Sequence, residues 1–238
     1  MKKIAIFVEG QTELLFIDRL IQELATESGL AVEHAEAIGG AVRARKINIL
    51  KQTTVQPHHR YYVLIVNSAG DSNVKSDVIE RYYSLKRSGY TAVFGLRDVY
   101  GQFQYKDVPR LRAMMKVGLP EIDEEGPSID LFLAIMEIEA WILGEYTHFQ
   151  RISKSLSPER IRAALRLDLE RDDLEQRWHP AEDIDRIYKL AGQRYTKQRN
   201  NLERTLDLLD FRFFISKVAR RFSDATRLIS LLNNQLSG

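Results

Sequence analysis

The sequence predicts an α/β fold in which a mainly parallel sheet is flanked by helices and followed by a region that is helical only. Three observations carry this expectation. Up to residue 146, short runs of β-forming residues alternate with stretches of helical periodicity, as in strands joined by helical crossovers. The strand candidates are nearly continuous in apolar residues, as strands buried on both faces are. From about residue 150 the helical periodicity goes on without a convincing strand.

Each element has its own warrant. Residues 4–8 form a short apolar strand closed by Glu9 and Gly10. Thr12 is placed to cap the helix that follows, in which Leu14, Leu15, Ile17, Leu20, Ile21 and Leu24 recur at helical spacing until Gly29 stops it. Residues 31–38 read as a second strand, interrupted by His34 and two glutamates, and Gly39-Gly40 turns the chain into a basic helix over 42–51. Residues 61–66 are a strand rich in β-formers, 67–72 a loop, and 74–87 a helix broken by Gly89. Residues 90–96 return as a strand ending at Arg97-Asp98, and 129–136 as another that runs straight into a helix over 137–145. Helical patterns then cover 156–169, 181–192, 202–209 and 211–236. The expected organisation is an α/β domain over 1–148 and a basic helical region over 149–238.

Composition narrows the function classes. The chain has 238 residues and 27.5 kDa, enough for one large domain or a core with an appendage. Its 44% apolar and 29% charged residues are ordinary for a globular protein, and no cysteine is present. That excludes a disulfide scaffold, a thiolate zinc site and a cysteine nucleophile, and it fits a reducing compartment. The longest apolar runs, 61–66 and 131–136, have six residues each, against roughly twenty needed to span a bilayer. Met1-Lys2-Lys3 precedes only five apolar residues before Glu9, short of the roughly seven that a secretory core needs, so no membrane role and a cytoplasmic location are expected. Formal charge is +2, but residues 151–238 carry 18 Lys/Arg against 13 Asp/Glu, and residues 1–150 carry 17 against 20. The basic tail includes Arg194, Lys197, Arg199, Arg220 and Arg221, which serve either as a solvated face or as contacts to nucleic-acid phosphates.

Ligands of parallel sheets bind beyond the carboxyl ends of the strands, so acids at those ends are where chemistry is sought. Glu9, Asp71, Asp98, Glu137 and Glu139 all qualify. One such acid is usually a cap or turn former, but several on one edge repel one another and imply a cation among them. With oxygen donors and no cysteine, Mg2+ or Mn2+ suits better than zinc. In Val8-Glu9-Gly10-Gln11-Thr12-Glu13, Gly10 permits a sharp turn that leaves Glu9 at the sheet edge. Glu13, one turn into the helix, either reaches the same site or closes a cap.

These residues resemble a known group. Val-Glu-Gly-x-Thr-Glu at the end of the first strand is similar to the opening motif of the TOPRIM fold, a Rossmann-like sheet, in the variant found in OLD-family nucleases. Gly70, followed by a helix and then by Asp98, resembles that fold's second and third motifs. Arg97-Asp98-Val99-Tyr100-Gly101 and Glu137-Ile138-Glu139-Ala140-Trp141 resemble two elements of an uncharacterised bacterial TOPRIM-like family. The resemblance covers roughly residues 3–146. It implies a divalent-metal site acting on phosphodiesters of DNA or RNA, with Glu9 as ligand or general base, Asp98 as ligand, and Glu139 or Glu137 as a further one. It also implies a basic residue after the helical insertion, a place that Lys197 fills, and service in phage defence beside an AAA- or ABC-type ATPase. The usual third motif is Asp-x-Asp, and Tyr100 stands here where its second aspartate would be. That leaves open one metal or two, and an enzyme or a non-cleaving regulatory subunit. It also leaves open whether residues 67–69 or Asp71 take the position assigned to Asp98.

Other candidates are weaker. His58-His59 reads as a solvated loop, because adjacent histidines on a strand would face opposite sides. Gly39-Gly40 lacks the Lys-Ser/Thr of a phosphate loop, Ser68 has no nucleophile-elbow frame, and Trp141 reads as core.

Overall fold

The computed structural model describes residues 1–25, 29–40, 45–70, 72–101 and 103–237. It is an α/β protein with a six-stranded, mostly parallel sheet and a helical C-terminal region. The strands are β1 (Lys2–Val8), β2 (Leu30–Ile38), β3 (Lys46–Lys51), β4 (Tyr61–Asn67), β5 (Ala92–Asp98) and β6 (Ser128–Ala134), in the spatial order β3-β2-β4-β1-β5-β6. β1 pairs in parallel with β4 and β5, and β2 in parallel with β4. Between β5 and β6, Ser128 N–H donates to Thr91 O at the strand starts and Val99 N–H to Ala134 O at the ends, so these too run parallel. The helices are α1 (Gln11–Leu24), α2 (Asn73–Arg87), α3 (Val108–Lys116), α4 (Glu139–Gly144), α5 (His148–Ile152), α6 (Pro158–Leu165), α7 (Pro180–Lys189), α8 (Arg199–Asp207), α9 (Phe211–Phe213) and α10 (Ser223–Leu236).

The described chain forms two compact units. The first comprises Met1–Arg97, Pro109–Leu133 and Leu228–Gly238, and the second Asp98–Val108 and Ala134–Arg227. Within the first, Ala5, Phe7, Ala35, Ala37, Val66 and Val93 from four strands form a buried cluster with Val74, Val78 and Leu85 of α2. Gly95 lets α2 come close: a Cβ there would stand 2.6 Å from Leu131 Cδ2 and 3.1 Å from Val74 Cγ1. Within the second, Trp141 is fully buried, as expected, with the rings of Phe214 and Phe222 at 6.3 and 6.5 Å. Gly144 allows that approach, since a Cβ there would meet Val218 at 2.8 Å and Phe222 at 2.9 Å.

The structure corrects several local expectations. The basic helix over 42–51 is not found: residues 46–51 are β3, antiparallel to β2, and residues 41–44 lie outside the described residues. Period-two apolar residues Ile47 and Ile49 fit a strand, and pairing satisfies the edge groups of β2 that a helix would leave bare. Thr12 does not cap α1. The helix starts two positions earlier, after Gly10, whose carbonyl accepts from Leu14 N–H, and Thr12 is buried inside it. β6 stops at Ala134 instead of running into a helix, because Met136 takes a left-handed φ of 64° and turns the chain before α4. The helix expected over 156–169 is only α6, ended by Arg166 at φ 53°, after which Leu167 and Leu169 still bury. The long helix expected over 211–236 is broken into α9, a π-turn over Phe214–Val218, a 3-10 turn over Ala219–Arg221 and α10.

Candidate functional site

In the second unit, three acids from the strand ends gather around one amine. Asp98 ends β5, and the chain continues through Val99 and Tyr100, whose N–H donates to Met136 O at 2.7 Å. The turn at Met136 then presents Glu137, and Glu139 opens α4. Asp98 Oδ1 accepts from Ile138 N–H at 3.1 Å, so this carboxylate caps the segment leading into α4. Glu137 Oε2 accepts from Ala181 N–H at 3.1 Å, a position at the start of α7 where backbone donors are otherwise unpaired.

Lys197 joins the acids from the segment before α8. Its Nζ lies 3.0 Å from Glu137 Oε1 and 3.1 Å from Glu139 Oε1, and Tyr195 Oη donates to the same Glu139 oxygen at 3.0 Å. Glu139 is wholly buried, and its Oε2 has no hydrogen-bond partner among the described residues. Burial pushes the Glu139 carboxyl above the ordinary glutamate value and Glu137 adds to the rise, while Lys197 and Tyr195 pull the other way. Burial works to lower the Lys197 ammonium, but the charges of Glu139, Glu137 and Asp98 outweigh it and hold that amine above an ordinary lysine. Three acids thus share one amine.

That imbalance and the orphaned Glu139 oxygen bear on a metal. An ion pair alone would satisfy both oxygens of a buried carboxylate or cost free energy. Glu139 and Asp98 are hard oxygen donors of the kind that Mg2+ and Mn2+ take, and so fit such an ion. The cage is incomplete as it stands: among the described residues, no three His, Cys, Asp or Glu side chains are arranged to hold a metal.

The other expected residues are distributed as follows. Glu9 follows β1 in the first unit, half-buried, with its carbonyl accepting from Gly70 N–H at 2.9 Å. Glu13 is buried in the first turn of α1, in the same unit. Asp71 lies outside the described residues. Of the basic residues, Arg194 Nε donates to Asp185 at 2.8 Å, Arg199 Nε to Glu203 at 2.8 Å, and Arg221 to the carbonyls of Leu169 and Asp172 at 2.6 and 2.7 Å. Arg220 is exposed. Sequence reasoning missed Tyr195, although its place two residues before Lys197 was a usable signal.

No protein-family model, curated protein or solved structure matches this chain.

Proposed function

We propose that this protein is a divalent-metal-dependent, phosphodiester-processing enzyme, a nuclease of the TOPRIM type acting on DNA or RNA. The observation that carries the reading is Glu139, sealed from water yet left with one bare oxygen beside a protonated lysine. A carboxylate in that state is poised for a further cation. Glu139 and Asp98 would hold Mg2+ or Mn2+, which when bound supplies an activated water and polarises the phosphoryl group. Glu137 positions Lys197, and Lys197, held charged, faces the negative charge that develops on the phosphate as the P–O bond breaks. The likeness of the Glu9, Asp98 and Glu139 motifs to TOPRIM nucleases supports the reading, and with it a role in phage defence beside a partner ATPase.

The test is incubation of the purified protein with Mn2+ or Mg2+ and single- or double-stranded DNA and RNA. Cleavage is expected, with Glu139→Gln and Lys197→Met each about 100-fold slower or worse, and Lys197→Arg partly active. Intact polymers under every condition would remove the enzymatic reading.

One observation favours a second reading, a non-cleaving nucleic-acid-binding or regulatory subunit. Lys197 already neutralises part of the cluster, and Tyr100 stands where a second aspartate would strengthen it. Calorimetric titration with Mn2+ separates the two, since the enzyme should take up metal in a manner abolished by Glu139→Gln.

A further inference from the structure

Beside the acid cluster, the second unit carries three aromatic rings that the phosphodiester chemistry does not use. Tyr100, Trp178 and His179 meet with ring centroids 6.2 Å apart (Tyr100–Trp178), 4.8 Å apart (Tyr100–His179) and 5.7 Å apart (Trp178–His179). Their planes cross at 86°, 75° and 87°, so none is stacked in parallel on another. Trp178 is 51% exposed, an unusual state for the largest apolar side chain, and Tyr100 and His179 are half-buried.

Backbone bonds tie this group to the cluster on two sides. Tyr100 lies two residues after Asp98, and its N–H bonds Met136 O next to Glu137. His179 lies two residues before Ala181, whose N–H bonds Glu137 Oε2 at 3.1 Å. The residue before the tryptophan is anchored as well: Arg177 grips Asp183 through two bonds of 2.7 and 3.0 Å. An exposed tryptophan backed by two half-buried rings, next to the proposed phosphate-handling centre, has the properties of a stacking platform.

We propose that Tyr100, Trp178 and His179 stack an unpaired base of single-stranded nucleic acid whose phosphate is presented to Glu139 and Lys197. This rests on the phosphodiester reading above and names its substrate class. A duplex keeps its base faces covered, whereas a single strand offers them, and stacking works for any base because every base has a π-face. It also gives Tyr100 a use that an aspartate at that position would not have.

The test uses binding, not cleavage, so that the two ideas can fail separately. Trp178 and buried Trp141 are the two tryptophans, so fluorescence quenching reports on the exposed one against a constant background. Glu139→Gln protein in EDTA is titrated with oligo-dT, oligo-U, duplex DNA and an abasic oligonucleotide of equal phosphate number. Quenching is expected with the two single strands, and their relative affinities tell DNA from RNA. Anisotropy of end-labelled strands reads the variants, since removing Trp178 removes the reporter: Trp178→Ala and Tyr100→Ala in the same protein should each weaken single-strand binding about 10-fold, Trp178→Phe less, and the abasic strand should bind the parent no better than oligo-dT binds Trp178→Ala. Equal affinity for abasic and base-bearing strands, or for Trp178→Ala and its parent, overturns the platform even if cleavage is confirmed. Stacking without cleavage would remove the catalytic reading and leave the platform in place.

Discussion

Buried charge at single residues shows how much the cluster around Lys197 differs from ordinary structural ion pairs. Asp18 in α1 is an example of the latter. It is almost wholly buried, yet Gln22 Nε2 donates to one oxygen at 2.7 Å and His34 Nε2 lies 3.1 Å from the other. Burial pushes its carboxyl up, but the contacts to His34 and Gln22 win and hold it below the ordinary 3.8. A depressed acid contributes stability above its unfolded pKa and loses it as pH falls through the folded value. Asp18→Asn should therefore cost about 1–3 kcal/mol at neutral pH, and the gap to wild type should close below about pH 4. Urea unfolding across pH checks this, and a pH-independent gap would refute it. Glu139 is shifted in the opposite direction. Both acids were visible in the chain, but the opposite signs were not: Asp18 is pulled down by His34, 16 positions away, whereas Glu139 is pushed up by burial even against the pull of Lys197, 58 positions away, and no local pattern specifies either balance.

At the scale of elements, legibility followed the strength of the pattern. β1, β4 and β5 were readable because their apolar runs bury on both faces, and α1 and α2 because one stripe of each is apolar. β3 was not, because its few apolar residues sit among lysines and an edge strand, needing only one neighbour, can stay largely exposed. The turn at Met136 was equally hidden, since a non-glycine residue at positive φ leaves no mark in the sequence. Gly95 shows an element contact that composition cannot announce. Gly95→Val would drive side-chain atoms into Leu131 and Val74 and should destabilise the protein by about 1–3 kcal/mol. Chemical denaturation measures this, and an unchanged midpoint would mean that α2 can move aside.

For the molecule as a whole, the charge asymmetry of the sequence overstates the free positive charge. The basic residues expected to hold phosphates are mostly engaged inside the second unit: Arg194 and Arg199 with carboxylates, Arg221 with carbonyls, Lys197 with the acid cluster. Single-strand binding should accordingly depend weakly on salt, with a slope of log K against log salt of about −1 to −2. Anisotropy titrations measure it, and a slope beyond about −4 would show that these pairs open to meet the ligand. Among the described residues, no helix is long and apolar enough to cross a membrane, as the short apolar runs implied.

The sequence by itself determined the alternation of strands and helices, the absence of strands after about residue 150, and the placing of Asp98, Glu137 and Glu139 at or just after strand ends. Such features follow from local periodicity and backbone preference, which act over a few residues. Tertiary structure alone decided that Lys197 and Tyr195 close on Glu139, that one of its oxygens stays bare, and that Tyr100 meets Trp178 and His179. Those outcomes come from burial and from electrostatic balance between segments distant in the chain, and both are set only once the chain has folded.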